Sequence, residues 1–445
     1  MSLDQKALEL LTAKDNQIEA QWLYPDSILT LEATAYHWNL RQQAPGKDPS
    51  LSQNIPIGST LPYAGQFILA GKSLYGLGLD ARIHDFHSGQ SWAVPGPSTD
   101  LQPDFLHRPT WVSFGDSSQV DTLYHRLNDS NEVLWMSKNY LRHIQWHPTE
   151  AVCLFLSWPR DELPWHKAEL FTLDARDPMA KKVNHLFPPG LQNHACAEAC
   201  FSPKGDALAA TFLTGDYFQL WLYKLKTKNW VQLSFDTRER STPLRRSSRR
   251  NFGFLNDKTL VSVSSQKAFW QIETMDFYGH SKIIASPMTH LQNIQVNPTT
   301  HEVLSLASGI EYPPQIVRFK PKGPSWISSS SGERVVTGIR AEPMTWATDS
   351  GETVHGILYR DAQAKAPSPL IIPIHGGPTD AVQASWPSKA IAFVQQGYSV
   401  LYVNYRGSWG YGYEYHQSLA GHWGKREISD CVSGVRSLAD SNWID

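Results

Sequence analysis

Between about residue 15 and residue 335, apolar and polar positions return repeatedly to one unit. A turn leads into a strand of mostly apolar residues, and a loop leads to a second strand carrying Trp or Phe. The clearest copy is Ala199-Cys200-Phe201-Ser202-Pro203-Lys204-Gly205-Asp206, followed by 207–212, 218–223 and 230–233. Pro203 and Gly205 are turn residues, 207–212 reads as a buried strand, and 218–223 alternates at period two. Related copies run from Ile144-Gln145-Trp146-His147-Pro148-Thr149-Glu150 into 151–158 and 168–173. Others run from Phe254-Leu255-Asn256-Asp257-Lys258 into 259–264 and 268–272, and from Val296-Asn297-Pro298-Thr299-Thr300 into 302–306 and 315–319. Fainter turns are Trp22-Leu23-Tyr24-Pro25-Asp26 before 27–33, and Ala64-Gly65-Gln66 before 67–70. The turn prolines at 148, 203 and 298 are 55 and 95 residues apart, and the Asn256-Asp257 turn divides the longer step roughly in half. A period near ~50 with about four short strands per unit is the signature of propeller blades, and ~320 residues hold six or seven of them.

After residue 319 the pattern changes. Lys320-Pro321-Lys322-Gly323-Pro324 and the serines 328–331 read as a linker or a last propeller loop. Segments 341–346 and 354–359 form a hairpin around Asp349-Ser350-Gly351. Residues 369–374 are a strand ending at His375-Gly376-Gly377-Pro378, a helix follows over about 387–396, and Gly397 stops it. Residues 399–403 form a strand of the kind buried on both faces. Ile428, Cys431, Val432, Val435 and Leu438 recur at helical spacing across 427–439. Strand, loop, helix, strand, loop, helix opens a parallel or mixed sheet covered on both faces. The expected architecture is a β-propeller of six or seven blades over 1–335, then the N-terminal half of an α/β-hydrolase domain over 336–445.

Composition narrows the function classes. The 445 residues exceed one ordinary core. Forty Lys and Arg against 42 Asp and Glu give a net charge of -2, so no whole-chain attraction to nucleic acid or an anionic membrane is expected. Seventeen each of Trp, Tyr and Phe, with 29 Gly and 29 Pro, suit many short strands with punctuated turns. The polar start Met1-Ser2-Leu3-Asp4 and the absence of an eighteen-residue apolar run predict a cytoplasmic protein without a signal peptide or spanning helix. Four cysteines are too few for a disulfide scaffold.

Two glycines directly after a buried strand let the backbone turn sharply and point N–H groups into a cleft. An acyl-transfer enzyme needs such donors for a developing oxyanion; the alternative is a plain turn. The second segment, Asn404-Tyr405-Arg406-Gly407-Ser408-Trp409-Gly410-Tyr411-Gly412, leaves the next strand as a Gly- and aromatic-rich loop. Tyr405 and Arg406 are the candidate substrate-binding side chains, although Arg406 equally suits an internal ion pair that pins the loop. The sequence suggests no general base near Ser408, which is not read as a nucleophile. The Gly-x-Ser-x-Gly pentapeptide of a serine hydrolase is absent from the 445 residues, and no acid and histidine follow it. The tail Asn442-Trp443-Ile444-Asp445 leads toward where the nucleophile strand would start. His194, Cys196 and Cys200 read as a loop histidine and buried thiols rather than a metal set. Arginines 238, 240, 245, 246, 249 and 250 read as an exposed inter-strand loop. Glu162, Trp165 and His166 read as an ordinary rim loop, the alternative being a loop that faces the catalytic domain. Neither metal nor cofactor is called for.

In order, the blade-like repeats, Glu342-Pro343, Ile374-His375-Gly376-Gly377-Pro378-Thr379, Val403-Asn404-Tyr405-Arg406-Gly407-Ser408, Gly410-Tyr411-Gly412, and Gly421-His422-Trp423-Gly424 with Asp430 resemble the prolyl oligopeptidase family of serine peptidases. The likeness is to its acylaminoacyl-peptidase and dipeptidyl-aminopeptidase-like branch, and it extends to the blade turns at 146–148 and 201–205. The resemblance implies a propeller capping an α/β-hydrolase domain, with a chamber between them that restricts substrates to short peptides. It also implies a Ser-Asp-His triad needing no cofactor, with Gly377 as one oxyanion donor. The expected function is serine-type hydrolysis of short peptides, releasing aminoacyl, acylaminoacyl or dipeptidyl units. All three triad members would lie on a C-terminal partner segment, leaving this chain inactive alone. The alternatives are a non-catalytic propeller that binds a peptide or protein, and an esterase of the same fold.

Overall fold

The computed structural model describes residues 18–445 apart from segments 24–26, 34–37, 44–52, 57–62, 71–72, 79–81, 86–90, 95–97, 104–105, 107, 114–119, 128–129, 178–180, 243–249, 298–299, 321–322, 329–337, 365–366 and 378. Among the described residues, seven four-stranded antiparallel sheets follow one another along the chain, each strand pairing with the next. Strands β1–β4 lie within 18–56, β5–β8 within 63–93, β9–β12 within 98–137 and β13–β16 within 140–186. Strands β17–β20 lie within 196–232, β21–β24 within 252–284 and β25–β28 within 290–328. This up-and-down order is the pattern of propeller blades. The first strands of neighbouring sheets lie side by side: β5 (Tyr63–Ala70) beside β9 (Ser98–Pro103), β9 beside β13 (Tyr140–Trp146), and β13 beside β17 (Cys196–Phe201). β1 (Ile18–Leu23) lies against the sheet that contains β26 (Val303–Ser308).

The sheets are held together face to face. Leu154, Leu156 and Leu170 of the fourth sheet pack on Ala199, Phe201, Leu208 and Phe212 of the fifth, all buried. Each of these leucine and phenylalanine side chains contributes about 1.5–3 kcal/mol by leaving water. The turns read from the sequence touch one another as well, since the His147 Nε2 lies 2.8 Å from Gly205 O. Within the Ser202–Asp206 turn, Ser202 Oγ donates to Asp206 Oδ1 at 2.8 Å and accepts from Ala207 N at 3.0 Å. The turn expected at Ala64-Gly65-Gln66 is instead a bulge inside β5, where the register shifts between Tyr63 and Gln66. The third sheet, 98–137, has no counterpart in the repeats read from the sequence. Parts of the turns expected at 22–26 and 296–300, and of the linker, lie outside the described residues.

The eighth sheet is mixed. Its order is β29 (Ile339–Ala347), β30 (Thr353–Asp361), β32 (Ser399–Asn404), β31 (Leu370–Ile371), with β31 parallel to β32. The hairpin β29–β30 closes over 348–352 as the sequence predicts. The strand expected over 369–374 pairs only at Leu370–Ile371. It lies at the edge, and Pro369 and Pro373 have no N–H to extend the ladder. One face of this sheet is covered by helix α2 (Ser388–Val394), with Ile357, Tyr359 and Val400 against Ile391 and Val394. The other face packs Trp346, Leu358 and Leu401 against α4 (Arg426–Asp440). Helix α4 is turned from its expected face. Asp430, Cys431, Ser433, Gly434 and Leu438 are buried, while Ile428 is 62% and Val432 43% exposed. The cause is Trp346, whose ring would lie 2.8 Å from a Cβ at Gly434, so only a glycine admits it. Two short helices, α1 (Pro164–Lys167) and α3 (Tyr413–Gln417), have no counterpart in the sequence reading. Among the described residues no helix is long and apolar enough to cross a membrane.

Candidate active site

Residues 375–380 leave the end of β31, and residues 405–412 leave the parallel neighbour β32, so two loops emerge together at the carboxyl end of adjacent strands. In open α/β sheets that end is where ligand sites form. Asn404 ties the loops: its Oδ1 accepts from Val382 N at 2.7 Å, and its Nδ2 donates to Val382 O at 2.9 Å and to Tyr411 Oη at 2.7 Å. Trp409 N donates to Asp380 O at 3.4 Å.

His375 is the centre of the first loop. Its ring stacks on Tyr405 with centroids 4.3 Å apart and planes 8° from parallel, and Tyr405 Oη donates to His375 O at 2.8 Å. His375 Nδ1 lies 3.0 Å from Gly376 O and Nε2 lies 3.1 Å from Ser408 Oγ. A neutral ring with its proton on Nδ1 satisfies both contacts, with Ser408 donating to Nε2. Burial lowers the His375 pKa, which favours that neutral form. This corrects the expectation that Ser408 has no base nearby. The hydroxyl is nonetheless fully buried, so the pair braces the loop and offers no nucleophile to a substrate.

Gly376 and Gly377 are exposed, and among the described residues neither N–H has a hydrogen-bond partner. Gly377 holds φ at +134°, and a Cβ there would meet Asp380 N at 2.8 Å. A glycine is required by both the dihedral and the space. Pro378 lies outside the described residues.

Arg406 sits behind the loop. Its Nε and Nη2 donate to Asp430 Oδ1 at 3.0 and 2.6 Å, its backbone N donates to Asp430 Oδ2 at 2.8 Å, and Nη1 pairs with Glu352. The residue is 4% exposed, so of its two readings the geometry displays the internal ion pair. Tyr405 is buried beside His375, with its hydroxyl engaged by the first loop.

Other candidates fall elsewhere. Glu162, Trp165 and His166 do not form an ordinary rim loop. Trp165 lies edge-on to His416 at 5.8 Å, and His166 Nε2 is 2.8 Å from Gln417 Nε2, so α1 faces α3. Arg240 departs from the exposed-loop reading, being 1% exposed and bonded to Asp236 and Glu273. Arg245, Arg246 and Arg249 lie outside the described residues. Cys196 and Cys200 are buried thiols, and His194 Nδ1 donates to Leu213 O at 2.8 Å. Beyond the edge strand β31, Ser368 makes an isolated parallel bridge to Ile444. The chain therefore re-enters the sheet at the position of a further parallel strand.

Residues 385–445 match the model of the prolyl oligopeptidase family. The chain is 41% identical over 90 residues to acylamino-acid-releasing enzyme 1 of Oryza sativa subsp. japonica, which is 20% of this chain and 11% of that protein. It is 35% identical over 96 residues to the uncharacterized peptidase YuxL of Bacillus subtilis, covering 21% of this chain and 15% of that protein. The matches thus span well under two thirds of these relatives. Among solved structures, a puromycin-hydrolyzing peptidase of Mycobacterium tuberculosis superposes with a TM-score of 0.84 at 14% identity, covering all of this chain and 74% of that one. A Pyrococcus horikoshii acylaminoacyl peptidase does so at 0.67 and 12%, covering all of this chain and 73% of that one. These structures carry the likeness in fold across the whole chain, a propeller with a hydrolase domain, while the sequence matches carry kinship. Over residues 385–445 the chain is thus similar to the prolyl oligopeptidase family, and the curated proteins it matches include acylamino-acid-releasing enzymes.

Proposed function

We propose that these 445 residues supply the propeller and the oxyanion-loop half of a serine peptidase that hydrolyses short peptides, with the nucleophile, acid and histidine carried by polypeptide outside them. The single observation that carries this reading is the pair of unbonded, exposed N–H groups at Gly376–Gly377, at the carboxyl end of a sheet whose next position is already begun by Ile444. In this arrangement Gly377 N–H donates one hydrogen bond to the oxyanion as the carbonyl becomes tetrahedral, and the second donor comes with the nucleophile. Tyr405 and His375 brace the donor. Arg406 shapes the loop through Asp430, and any contact of Tyr405 or Arg406 with substrate would require their loop to shift. Ile374, Trp423 and Ile428 are each more than 60% exposed and suit coverage by further hydrolase structure.

We further assign the seven sheets as seven blades of one closed ring over 1–335, with the hydrolase segment from 336. The approach of β1 to the sheet of β26 supports closure. A chamber between ring and hydrolase segment would admit short peptides and exclude folded proteins.

The test is complementation. The chain alone should leave aminoacyl, acylaminoacyl and dipeptidyl chromogenic amides intact, and should hydrolyse at least one class once joined to a C-terminal segment carrying Gly-x-Ser-x-Gly. Hydrolysis by the chain alone would sink the assignment. Turnover of small esters without any amide would replace the peptidase with an esterase.

A further inference from the structure

Both walls of the candidate site are bonded at their far ends to the rim of the seven-sheet array. The first wall continues from the glycines through 380–386. Ala384 N donates to Ala268 O at 2.9 Å, Trp270 Nε1 donates to Gln383 Oε1 at 2.7 Å, and Thr289 Oγ1 donates to Ala384 O. Ala268 lies in the tight turn between two strands of the sixth sheet, where Lys267 and Ala268 have φ of 52° and 69°.

The second wall ends at α3. Asp216, in a hairpin turn of the fifth sheet, accepts from Tyr413 N at 2.7 Å through its carbonyl and from Glu414 N at 2.6 Å through Oδ1. The approach is close enough that a Cβ on Gly412 would fall 2.0 Å from Asp216 Oδ2. Trp409 Nε1 donates to Ser241 O at 3.0 Å, fixing the same wall to the loop after the fifth sheet.

The near ends of the walls hold each other through Asn404 with Val382, Trp409 with Asp380, and Tyr405 with His375. A loop containing two exposed glycines loses about 1–2 kcal/mol of backbone entropy for every residue it fixes. The bonds that oppose this cost are shared between the hydrolase sheet and the array. Without the array, 380–386 keep their bonds to Asn404 and Trp409, and 412–417 keep those of Tyr415 to Asn404 and Gly407.

We propose that Trp270 and Asp216 are positioning residues for the oxyanion loop. They anchor the two walls and, through Val382–Asn404 and Asp380–Trp409, fix the direction of the Gly377 N–H. The idea rests on the reading of Gly377 as an oxyanion donor. It makes docking of the array a condition for an ordered oxyanion site rather than only a lid over the chamber.

Hydrogen–deuterium exchange on the 445-residue chain tests it. Trp270→Phe keeps the ring and removes the N–H donor. Asp216→Ala removes the carboxylate, and Asp216→Asn restores an acceptor. Trp270→Phe and Asp216→Ala are each expected to speed exchange at least tenfold at the bonded amides of Ala381 and Val382 and in 404–411, none of which is hydrogen-bonded to residue 270 or 216. Strand 207–212 should keep its rate, and Asp216→Asn should return most of the lost protection. Exchange at Ala381 and Val382 at the original rate in both variants overturns the proposal. Acceleration spread equally into 207–212 also overturns it, by assigning the effect to general loss of fold. In a complemented enzyme Trp270→Phe should lower kcat while KM stays within twofold. The exchange readout needs no hydrolysis, so failure of complementation would count against the peptidase reading alone.

Discussion

Removing Asp430 is the sharpest test of how the site is held. The carboxylate is fully buried and accepts the Arg406 backbone N at 2.8 Å, Nε at 3.0 Å and Nη2 at 2.6 Å. In Asp430→Ala the guanidinium, 5% exposed, keeps only Glu352, itself 43% exposed, and the Arg406 N–H is left without a partner. Breaking a buried pair from one side costs about 3–5 kcal/mol, because an uncompensated charge stays in a poor dielectric. The comparison is Asp349→Ala, which breaks the Arg436 pair, with side chains 60% and 82% exposed, and should cost under about 1 kcal/mol. Because the chain holds more than one structural unit, a single spectroscopic transition is not a safe measure. Urea-dependent exchange of amides in 399–404 and 426–440 isolates the affected sheet. With a urea slope of about 1–3 kcal/mol per molar, the midpoint of that region should fall by at least about 1 M for Asp430→Ala and far less for Asp349→Ala. The double variant Arg406→Met with Asp430→Leu should recover half or more of the loss, because no charge is then stranded. Equal shifts for the two single variants, or additive losses in the double, would refute the buried-pair reasoning.

The other predictions concern the loop and the rim. Gly377→Ala forces a side chain into φ of +134° and against Asp380 N, so a complemented enzyme should lose about two orders of magnitude in kcat, as when an oxyanion donor is misplaced; unchanged kcat would remove Gly377 from the mechanism. Tyr405→Phe keeps the stack on His375 and removes the bond to His375 O, so the bonded amides of Ala381 and Val382 should lose about 0.5–1.5 kcal/mol of exchange protection, and Tyr405→Ala more. Burial raises Glu239 from its ordinary 4.5 to about 8, despite donors from Arg240 N and Ser241. The folded state therefore holds this proton more tightly than the unfolded one. Its contribution to stability is fully present below about pH 4.5, declines as pH rises toward about 8, and is then constant. Glu239→Gln, neutral throughout, should gain urea midpoint for exchange of amides in 259–266, the strand bonded to Glu239 at Ser265, steadily from pH 5 to pH 8 relative to the original chain, and parallel midpoint profiles would contradict the assignment.

What the sequence disclosed follows from how locally each feature is determined. The turns at 146–148 and 202–206 are set by proline, glycine and short side-chain bonds within five residues, so their spacing exposed the repeat. The third sheet escaped because its last strand, 130–137, buries only Leu134 and gives no clean alternation. His375–Pro378 and Asn404–Gly412 stood out because glycine at a constrained turn leaves a mark in composition. The anchors of those loops left none. Trp270 and Gln383 are 113 residues apart, Ser241 and Trp409 168, and Asp216 and Glu414 198. By local criteria, moreover, Asp216 is only a hairpin-turn residue. The sequence leaves Arg406 between two readings for the same reason, since its partner Asp430 lies on a helix whose sequence signal is its apolar residues.

That helix shows most clearly where local reading stops. Ile428, Cys431, Val432, Val435 and Leu438 share helical spacing in the sequence. In the structure the buried face is Asp430, Cys431, Gly434 and Leu438, selected by the Trp346 ring and by the Arg406 guanidinium, while Ile428 and Val432 face outward with Trp423 near the start of the helix. A helix apolar on two faces is one that packs on two sides. Its inner face holds the loop of Tyr405 and Arg406 in place. Its outer face, under the proposed function, meets the segment that brings the nucleophile. The same helix would then register both halves of the active site, and charges placed at Ile428 and Val432 should weaken complementation while leaving the Arg406–Asp430 pair and the protection of 399–404 intact.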